Sequence, residues 1–326
     1  MIIAEIGSVH DGSYGNALKL IELAKECGAD FVKFQTHIAE AETLENAPSP
    51  SYFSEESRYE YFSRTSFSLF EWSSLKKHAD NIGIQFLSSP FSLQAVDLLE
   101  EIGVTGYKIP SGEITNIPLL EKIANCGKPV YLSSGMSNWL ELDRAVSVFI
   151  KKCDLTIMQC SSKYPCNNKS VGLNVVKEMS DRYGIPVGFS DHTLGMAASI
   201  SAVALGAKVI EKHLTFSKLM YGSDAKHSME PTEFKYLSSE LKSAMEMIDN
   251  PIDKDDVSEY QEMKNIFQKS IVATVSIQLG TVISLSHLAF KKPGTGIPAS
   301  EYKTLIGKKL IVNCDKDDII LKEWLA

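Results

Sequence analysis

The sequence lacks the features that mark membrane, secreted and nucleic-acid-binding proteins. No apolar run approaches the roughly 20 residues that a membrane-spanning helix needs, so we expect no membrane partner. The first residues, MIIAEIGSVHDGS, contain neither a basic segment nor a long apolar one, and no signal peptide is expected. A net charge of −8 argues against a nucleic-acid partner. An anionic ligand would therefore have to be held by a local cluster of cations.

The sequence also lacks closely spaced pairs of cysteines. The six cysteines are scattered along the chain and none forms a CxxC pair, which argues against a disulfide framework or a zinc-finger site. Reduced thiols and a cytoplasmic location are the prediction. The 44% of hydrophobic residues and 23% of charged residues are ordinary for a globular protein that buries a sizeable core.

A regular alternation of structure is present between residue 1 and about residue 250. Eight short β-rich runs, beginning with MIIAEIG, are each followed by an amphipathic helical pattern. Alternation of this kind is typical of a parallel sheet in an α/β protein, and eight units predict a closed (β/α)8 TIM barrel. An open, doubly wound sheet is the alternative, but the GxGxxG that often accompanies it does not follow the first run.

The end of the chain has a different composition. The segment IDNPIDKDDVSEYQEMKN is charged and contains proline, and short β runs with Gly turns follow it. We therefore predict three parts: a barrel over residues 1–250, a linker over residues 251–269, and a small, mostly β domain over residues 270–326.

Two lysines lie within apolar runs of the predicted barrel. Lys33 in FVKFQ and Lys108 in YKIPS would be costly there unless each is paired or faces a polar cavity. The alternative is a side chain that snorkels outward. Serines accompany the ends of other runs: Ser89, Ser111, Ser133, Ser162 and Ser190. Because barrel chemistry lies at the carboxyl ends of the strands, the set predicts a pocket for a compact dianion such as a phosphate ester.

Two histidines, His192 and His213, end neighbouring runs, so their rings can converge. Two imidazoles suit Mn²⁺, Zn²⁺ or Fe²⁺, while ordinary hydrogen bonding is the alternative for either ring. Asp191 and Glu211 are interpreted as groups that orient the rings. Three other histidines are expected at the surface: His37, His78 and His287.

Two carboxylates, Glu5 and Glu113, lie beside strand ends. Either could be a general base or bind sugar hydroxyls, and a salt bridge to Lys33 or Lys108 is equally compatible. The residues alone thus predict a barrel enzyme with a phosphate-bearing substrate and a metal ion, and they leave the reaction open.

Eight motifs resemble those of the sialic acid synthase family, which makes N-acetylneuraminic, legionaminic and pseudaminic acids. They are AEIGSVHDGS, VKFQT, LSSPFS, YKIPSGE, LSSGM, CSSKYP, GFSDHT and IEKHLT. The tail, with KKPGTGIP and LIGKKL, is similar to the family's antifreeze-like (SAF, β-clip) domain. The resemblance implies condensation of phosphoenolpyruvate with an N-acylated aldose and water, giving a nine-carbon 2-keto-3-deoxy acid and phosphate, in a domain-swapped homodimer.

The same resemblance implies roles for individual residues. Those implied to bind phosphoenolpyruvate are Lys33, Ser89, Lys108, Ser111, Ser133, Ser162 and Ser190. His192 and His213 would bind a divalent ion such as Mn²⁺, and the catalytic set would be Glu5, Lys33, Lys108 and Glu113. Those implied to bind the sugar are Gln35, Glu113, Tyr164, Asp224 and Lys292 of the partner subunit.

Three positions depart from the family pattern. Val9 stands where members usually carry Asn, and Ser162 where some carry Asn. Lys292 replaces an Arg that reaches the sugar's N-acyl group, and Lys cannot make the same forked contact. N-acetylmannosamine, a 2,4-diacetamido-trideoxy hexose and other aldoses therefore stay open. The alternative functions are a class I aldolase that forms a Schiff base on Lys33 or Lys108, and a non-catalytic sugar-binding protein.

Overall fold

The computed structural model describes residues 1–48, 56–163, 166–222 and 224–326. By its internal contacts the chain separates into two compact units, Met1–Asn250 and Pro251–Ala326. Over the described ranges, none of the helices combines the length and the apolar character required to cross a bilayer. Tyr164, a predicted sugar-binding residue, lies outside the described residues.

The first unit contains the predicted (β/α)8 barrel, which is confirmed. Eight strands pair in chain order, all parallel, and the last closes on the first. The strands are β1 (Ile2–Gly7), β2 (Phe31–Thr36), β3 (Gln85–Pro90), β4 (Gly106–Ile109), β5 (Val130–Ser133), β6 (Leu155–Cys160), β7 (Val187–Asp191) and β8 (Val209–His213). Because helices cover the outside and side chains fill the inside, these strands are buried on both faces and read as nearly continuous apolar runs.

Helices alternate with the strands. They are α1 (Tyr14–Glu26), α2 (Ala39–Glu42), α3 (Arg58–Thr65), α4 (Leu69–Ile82), α5 (Leu93–Ile102), α6 (Ile117–Asn125), α7 (Trp139–Phe149), α8 (Asn174–Tyr183), α9 (Ala197–Ala204) and α10 (Pro231–Asp249). Local signals set their ends. For example, Ser68 and Glu71 form a capping box at the start of α4, and Gly83 ends that helix in the left-handed conformation.

The polar insertion between β2 and α4 contains two of these helices, α2 and α3. A capping box of Ser57 and Glu60 begins α3. Tyr61 and Phe62 of α3 are buried in a small apolar cluster with Ala39. In the described part of the insertion, apolar residues therefore form a cluster of their own, while polar residues such as Glu60 are exposed.

The interior of the barrel changes from apolar to polar along the strands. Its floor is one apolar cluster that contains Ile3, Leu87, Tyr131, Met158 and Val209. Successive side chains of a strand alternate between the two faces, so the next inward position is two residues further on. On four strands that position is charged or carries a hydroxyl: Glu5, Ser89, Ser133 and Glu211. The polar layer lies at the carboxyl end of the barrel.

The second unit is small and has little regular strand. Strands β9 (Ser270–Ala273) and β10 (Leu288–Lys291) pair antiparallel, and isolated bridges and short 3-10 turns account for most of the rest. Helix α11 (Gln261–Phe267) precedes them. The unit has its own core, in which Ile271, Ile283, Leu310 and Ile320 are buried.

Gly188 of β7 provides a test of the interior packing. A Cβ at this position would lie 2.8 Å from the Val209 carbonyl oxygen and 3.2 Å from the Met158 Cγ atom. We predict that Gly188→Ala lowers the free energy of unfolding by about 1–3 kcal/mol, measured by urea denaturation, because the floor cannot accept added volume. Gly15→Ala in α1, where the added Cβ is exposed, should instead raise it by about 0.5–1 kcal/mol. Equal effects of the two substitutions would contradict this packing.

Candidate active site

Lys33 and Lys108 are both buried in the barrel interior, each 3% exposed, which excludes the outward alternative. The Lys33 Nζ atom lies 2.8 Å from Glu5 Oε2 and 3.5 Å from Glu211 Oε1. The Lys108 Nζ atom donates to Ser133 Oγ at 2.6 Å and lies 3.7 Å from Glu211 Oε1. Two ammonium groups and two carboxylates thus share one level of the barrel.

The charges in this cluster depend on one another. Burial alone would raise the pKa of Glu211, but the positive charges of Lys108 and Lys33 outweigh burial and lower it. Burial would lower the pKa of Lys33, and the negative charges of Glu211 and Glu5 reverse that effect and raise it. For Lys108 burial prevails and lowers the pKa. Ser190 Oγ donates to Glu211 Oε1 at 3.0 Å and completes the contacts of that oxygen.

His192 and His213 lie side by side at the ends of β7 and β8, with ring centroids 5.6 Å apart. The His192 Nδ1 atom lies 2.7 Å from the Ser161 carbonyl oxygen and donates to it, which leaves the lone pair on Nε2. Burial, reinforced by neighbouring His213, lowers the pKa of His192 to about 4, so the ring is neutral at neutral pH. A neutral imidazole with this tautomer has the chemistry of a metal ligand.

Within the described residues, the two histidines do not belong to a larger cage of metal-binding side chains. Over residues 1–48, 56–163, 166–222 and 224–326, no group of three or more His, Cys, Asp or Glu side chains could hold a metal ion. A pair of imidazoles fits a metal ion whose remaining positions are left to substrate and water, which is the arrangement of open, catalytic sites.

Three loops converge at Gly135, which the sequence analysis did not single out. A Cβ on Gly135 would lie 1.9 Å from Ser111 Oγ and 2.7 Å from Ser162 Oγ. The close approach of two predicted phosphoenolpyruvate-binding hydroxyls therefore requires glycine here. Its position two residues after Ser133, in LSSGM, was the only signal in the sequence.

Two polar atoms in the polar layer are buried with neither a hydrogen-bond partner nor an ion-pair partner among the described residues. They are Ser89 Oγ and Glu211 Oε2. A buried polar group left unpaired costs about 1–3 kcal/mol, so such atoms are concentrated where a ligand completes the contacts.

The predicted sugar-binding residues Gln35 and Asp224 meet at Gly7. A Cβ on Gly7 would lie 2.4 Å from Asp224 Oδ2 and 3.5 Å from Gln35 Nε2, and its φ of +54° is in the left-handed region. Gln35 Nε2 donates to Glu5 Oε1 at 2.7 Å. Asp224 Oδ2 accepts from the Ser8 amide and the Ser8 hydroxyl, both at 3.1 Å. Glycine is required at position 7 because Asp224 and Gln35 approach it so closely, and the sequence alone does not reveal these contacts.

Two further predicted sugar-binding residues, Glu113 and Lys292, are among the described residues. Glu113, in the turn after β4, accepts from Asn116 Nδ2 at 2.8 Å, and partial burial raises its pKa. The sequence allowed either Glu5 or Glu113 to form a salt bridge with a lysine. Glu5 forms one, with Lys33. Lys292 is exposed in the second unit, where its Nζ atom lies 4.9 Å from the centroid of the Phe267 ring.

Comparison with known proteins decides the family. Residues 20–253 match the NeuB family and residues 268–326 match the SAF domain. The chain belongs to the NeuB family. This confirms the resemblance to sialic acid synthases and the antifreeze-like domain.

Relatives of this NeuB-family chain are similar over nearly its whole length. N,N'-diacetyllegionaminic acid synthase of Campylobacter jejuni is 40% identical over 329 residues, which cover 98% of each chain. Human N-acetylneuraminate-9-phosphate synthase is 36% identical and covers 99% of this chain and 91% of its own. The structure of N-acetylneuraminic acid synthetase from Leptospira borgpetersenii in complex with citrate, 33% identical, has a TM-score of 0.71 and covers 80% of this chain and 89% of its own. This NeuB-family chain is accordingly an enzyme of the synthase class.

The interpretation of Asp191 as a group that orients the imidazoles is wrong. Its carboxylate accepts from the Thr193 amide at 2.8 Å and from Ser199 Oγ at 2.6 Å, and it pairs with Lys212 Nζ at 2.9 Å. Strand alternation explains the error: Ser190 and Glu211 face the interior, and Asp191 and Lys212 face the helix layer. Glu211 is bound to the lysines, although its charge acts on both imidazoles.

The expectation that His37 lies at the surface is also wrong. The residue is 8% exposed, and its ring lies between the rings of Phe62 and Phe91. The sequence could not show this because Phe62 comes from α3, 25 positions further along the chain. His78 and His287 are partly exposed, in agreement with the prediction.

The Asp191–Lys212 pair of this NeuB-family enzyme is a stability element behind the site. Lys212 also donates to the Thr193 and Gly195 carbonyl oxygens, so it ties down the loop that follows His192. We predict that Lys212→Met lowers the free energy of unfolding by about 3–5 kcal/mol, because it leaves Asp191 buried and unpaired. Lys208→Met breaks an exposed pair with Asp249 and should cost less than about 1 kcal/mol. Equal losses in chemical denaturation would contradict this assignment.

Proposed function

We propose that the enzyme condenses phosphoenolpyruvate with an N-acylated aldose and water, giving a nine-carbon 2-keto-3-deoxy acid and phosphate. The observation that supports this most strongly is the buried cluster of Lys33, Lys108 and Glu211 at the carboxyl end of the barrel. Buried ammonium groups beside the unpartnered Ser89 hydroxyl form a site in which a small polyanion completes the contacts.

Phosphoenolpyruvate carries two anionic groups, and both ends need donors. Lys33 and Lys108 supply charge, and the hydroxyls proposed to complete the shell are those of Ser89, Ser111, Ser133, Ser162 and Ser190. Because the lysines are already held by carboxylate and hydroxyl partners, little reorganisation is needed when the substrate arrives. This is the arrangement that electrostatic preorganisation requires.

His192 and His213 are proposed to hold Mn²⁺ or a similar divalent ion. Such an ion, when bound, acts as a Lewis acid on the carbonyl oxygen of the open-chain sugar. The chain's own contribution is the orientation of the imidazoles, since Ser161 fixes the tautomer of His192.

The proposed reaction forms one carbon–carbon bond, between the two substrates, and at C2 it exchanges the bond to the phosphate oxygen for a bond to the oxygen of water. The C3 atom of phosphoenolpyruvate attacks the sugar's carbonyl carbon, and positive charge develops at C2. Water adds to C2, and the tetrahedral intermediate collapses to the ketone as the C2–O bond to phosphate breaks. One proton of the water is taken up by the new sugar hydroxyl and the other leaves with phosphate. Glu5, held by Lys33 and Gln35, is positioned to transfer these protons.

A 2,4-diacetamido-trideoxy hexose is the sugar we propose first, with N-acetylmannosamine second. The 40% identity to the legionaminic acid synthase of Campylobacter jejuni, against 36% to the human N-acetylneuraminate-9-phosphate synthase, supports this order, although the legionaminic acid synthase of Legionella pneumophila is 35% identical. Gln35, Glu113, Tyr164 and Asp224 would bind the sugar, and Lys292 of the partner subunit would reach its N-acyl group in a domain-swapped homodimer.

A class I aldolase remains the second candidate because burial lowers the pKa of Lys108, and Schiff-base lysines need a neutral amine. Lys33 does not fit that role, since Glu211 and Glu5 outweigh burial and keep its amine charged.

We predict that phosphate is released from phosphoenolpyruvate only when both a divalent ion and a suitable N-acylated aldose are present. The measurement is a phosphate assay over a panel of such aldoses, with product masses determined. Chelation should abolish release and Mn²⁺ should restore it. His192→Ala and His213→Ala should lose more than about 100-fold in kcat, since each removes a metal ligand, while His78→Ala keeps wild-type turnover.

Two outcomes would contradict the proposal. One is the absence of phosphate release with every aldose when metal is supplied. The other is covalent labelling of Lys108 when borohydride is added with substrate, which would assign the site to aldolase chemistry instead.

A further inference from the structure

We propose that His37 is a positioning residue: it sets the orientation of the Gln35 amide and, through it, the hydrogen bond that Gln35 donates to Glu5. The inference rests on the proposed function, which assigns proton transfer to Glu5 and sugar binding to Gln35. No contact of His37 with a substrate is required, because it acts through Gln35.

The His37 ring is clamped on both faces. Its centroid lies 3.6 Å from that of Phe62 and 4.1 Å from that of Phe91, with interplanar angles of 13° and 20°. Phe62 belongs to α3 of the insertion and Phe91 follows β3. The His37 carbonyl oxygen also accepts from Ser66 Oγ at 3.2 Å. Stacking from two separate segments fixes the plane of the ring, so its nitrogens can point in only two directions.

Each ring nitrogen has a partner along those directions. Glu42 Oε1 lies 2.7 Å from Nδ1, and Gln35 Oε1 lies 3.1 Å from Nε2. The Glu42 side chain is 3% exposed, and its second oxygen accepts from the Ile38 amide at 3.3 Å. With the bond from Gln35 Nε2 to Glu5 Oε1, a continuous chain runs from Glu42 to Glu5.

The direction of this chain follows from the chemistry of its ends. The Glu5 carboxylate, paired with Lys33, only accepts, so the Gln35 NH2 group must face it. The Gln35 oxygen is then turned toward His37, where only an Nε2–H group satisfies it. An Nε2–H group is compatible with Glu42 when the short bond at Nδ1 also carries a hydrogen, either on the ring or on the carboxyl group. Without an Nε2–H group, rotation of the amide would place two oxygens, those of Gln35 and Glu5, against each other.

The space beside the pair is small. A cavity of about 10 Å³ lies beside Gln35 and His37, with Ser8 and Ser66 among its lining residues. This volume is enough for a single water molecule. A water could hydrogen-bond to the amide, but it can donate and accept in either direction and so would not select one orientation of Gln35.

The test is a double-mutant cycle between His37→Phe and Gln35→Ala. Phenylalanine keeps the stacked ring and removes both nitrogens. We expect His37→Phe to lower kcat/KM for the aldose by about 10–100-fold, with the KM for phosphoenolpyruvate changed less than about 2-fold. In the Gln35→Ala background the same substitution should change kcat/KM less than about 2-fold, because the group that it positions is gone.

The matched control is His78→Phe. His78 also forms a His–Glu pair, with Nε2 3.2 Å from Glu22 Oε1, but it lies on α4 and has no connection to Gln35. This variant should keep wild-type kinetics. Multiplicative effects of His37→Phe and Gln35→Ala, or equal losses from His37→Phe and His78→Phe, would overturn the inference.

A second measurement does not depend on turnover, so it separates failure of this inference from failure of the proposed function. The ring nitrogens of the seven histidines can be observed by 15N NMR, and the signals lost in His37→Phe are those of His37. We expect the shift of a hydrogen-bearing nitrogen at Nε2 at neutral pH. A nitrogen without hydrogen there would overturn the inference even if the enzyme turns over. If His37→Phe does not fold, Glu42→Gln serves as the variant and should lose kcat/KM for the aldose in the same direction.

Discussion

The contact of Glu211 with Lys33 and Lys108 is the interaction on which the barrel mouth depends. Removing each ion from water costs several kcal/mol, and a pair of charges about 4 Å apart returns roughly 4 kcal/mol at an effective dielectric constant of 20. Glu211 reaches both lysines, and Glu5, on the adjacent strand, adds the shortest contact to Lys33. Neither lysine could remain charged at this depth without these carboxylates, and a charged lysine is what an anionic substrate requires.

The alternation of side chains along each strand determines where these charged groups lie in the barrel. Moving two residues along β1, β3, β5 or β8 replaces an apolar floor side chain by a polar one, so a packed core and a charged site occupy the same barrel. Moving one residue reverses the face. Glu211 therefore serves the site, while its neighbour Lys212 pairs with Asp191 behind it and holds the loop that follows His192. Of these two adjacent residues, Glu211 thus belongs to the candidate site and Lys212 stabilises the fold.

The barrel and most of the inward residues could be predicted because both follow from local patterns. A lysine inside an apolar run, or a serine where such a run ends, is visible without knowledge of distant contacts. Gly7 and Gly135 were missed because the need for glycine comes from side chains that approach from other loops. His37 was placed at the surface because its cover, Phe62 and Phe91, arrives from two later segments. Asp191 was assigned to the wrong face because neighbours in sequence point in opposite directions on a strand.

Calorimetric titration of phosphoenolpyruvate measures binding to the charged layer of the barrel without any later step. Lys108→Met leaves Glu211 in contact with Lys33 and Ser190, so the cluster keeps its other bonds. We expect this variant, folded by circular dichroism, to bind phosphoenolpyruvate at least about 10-fold more weakly, since it has lost a charge-assisted contact. Lys208→Met should bind it as the wild type does. Equal affinity of Lys108→Met and the wild type would show that the charged layer does not bind phosphoenolpyruvate.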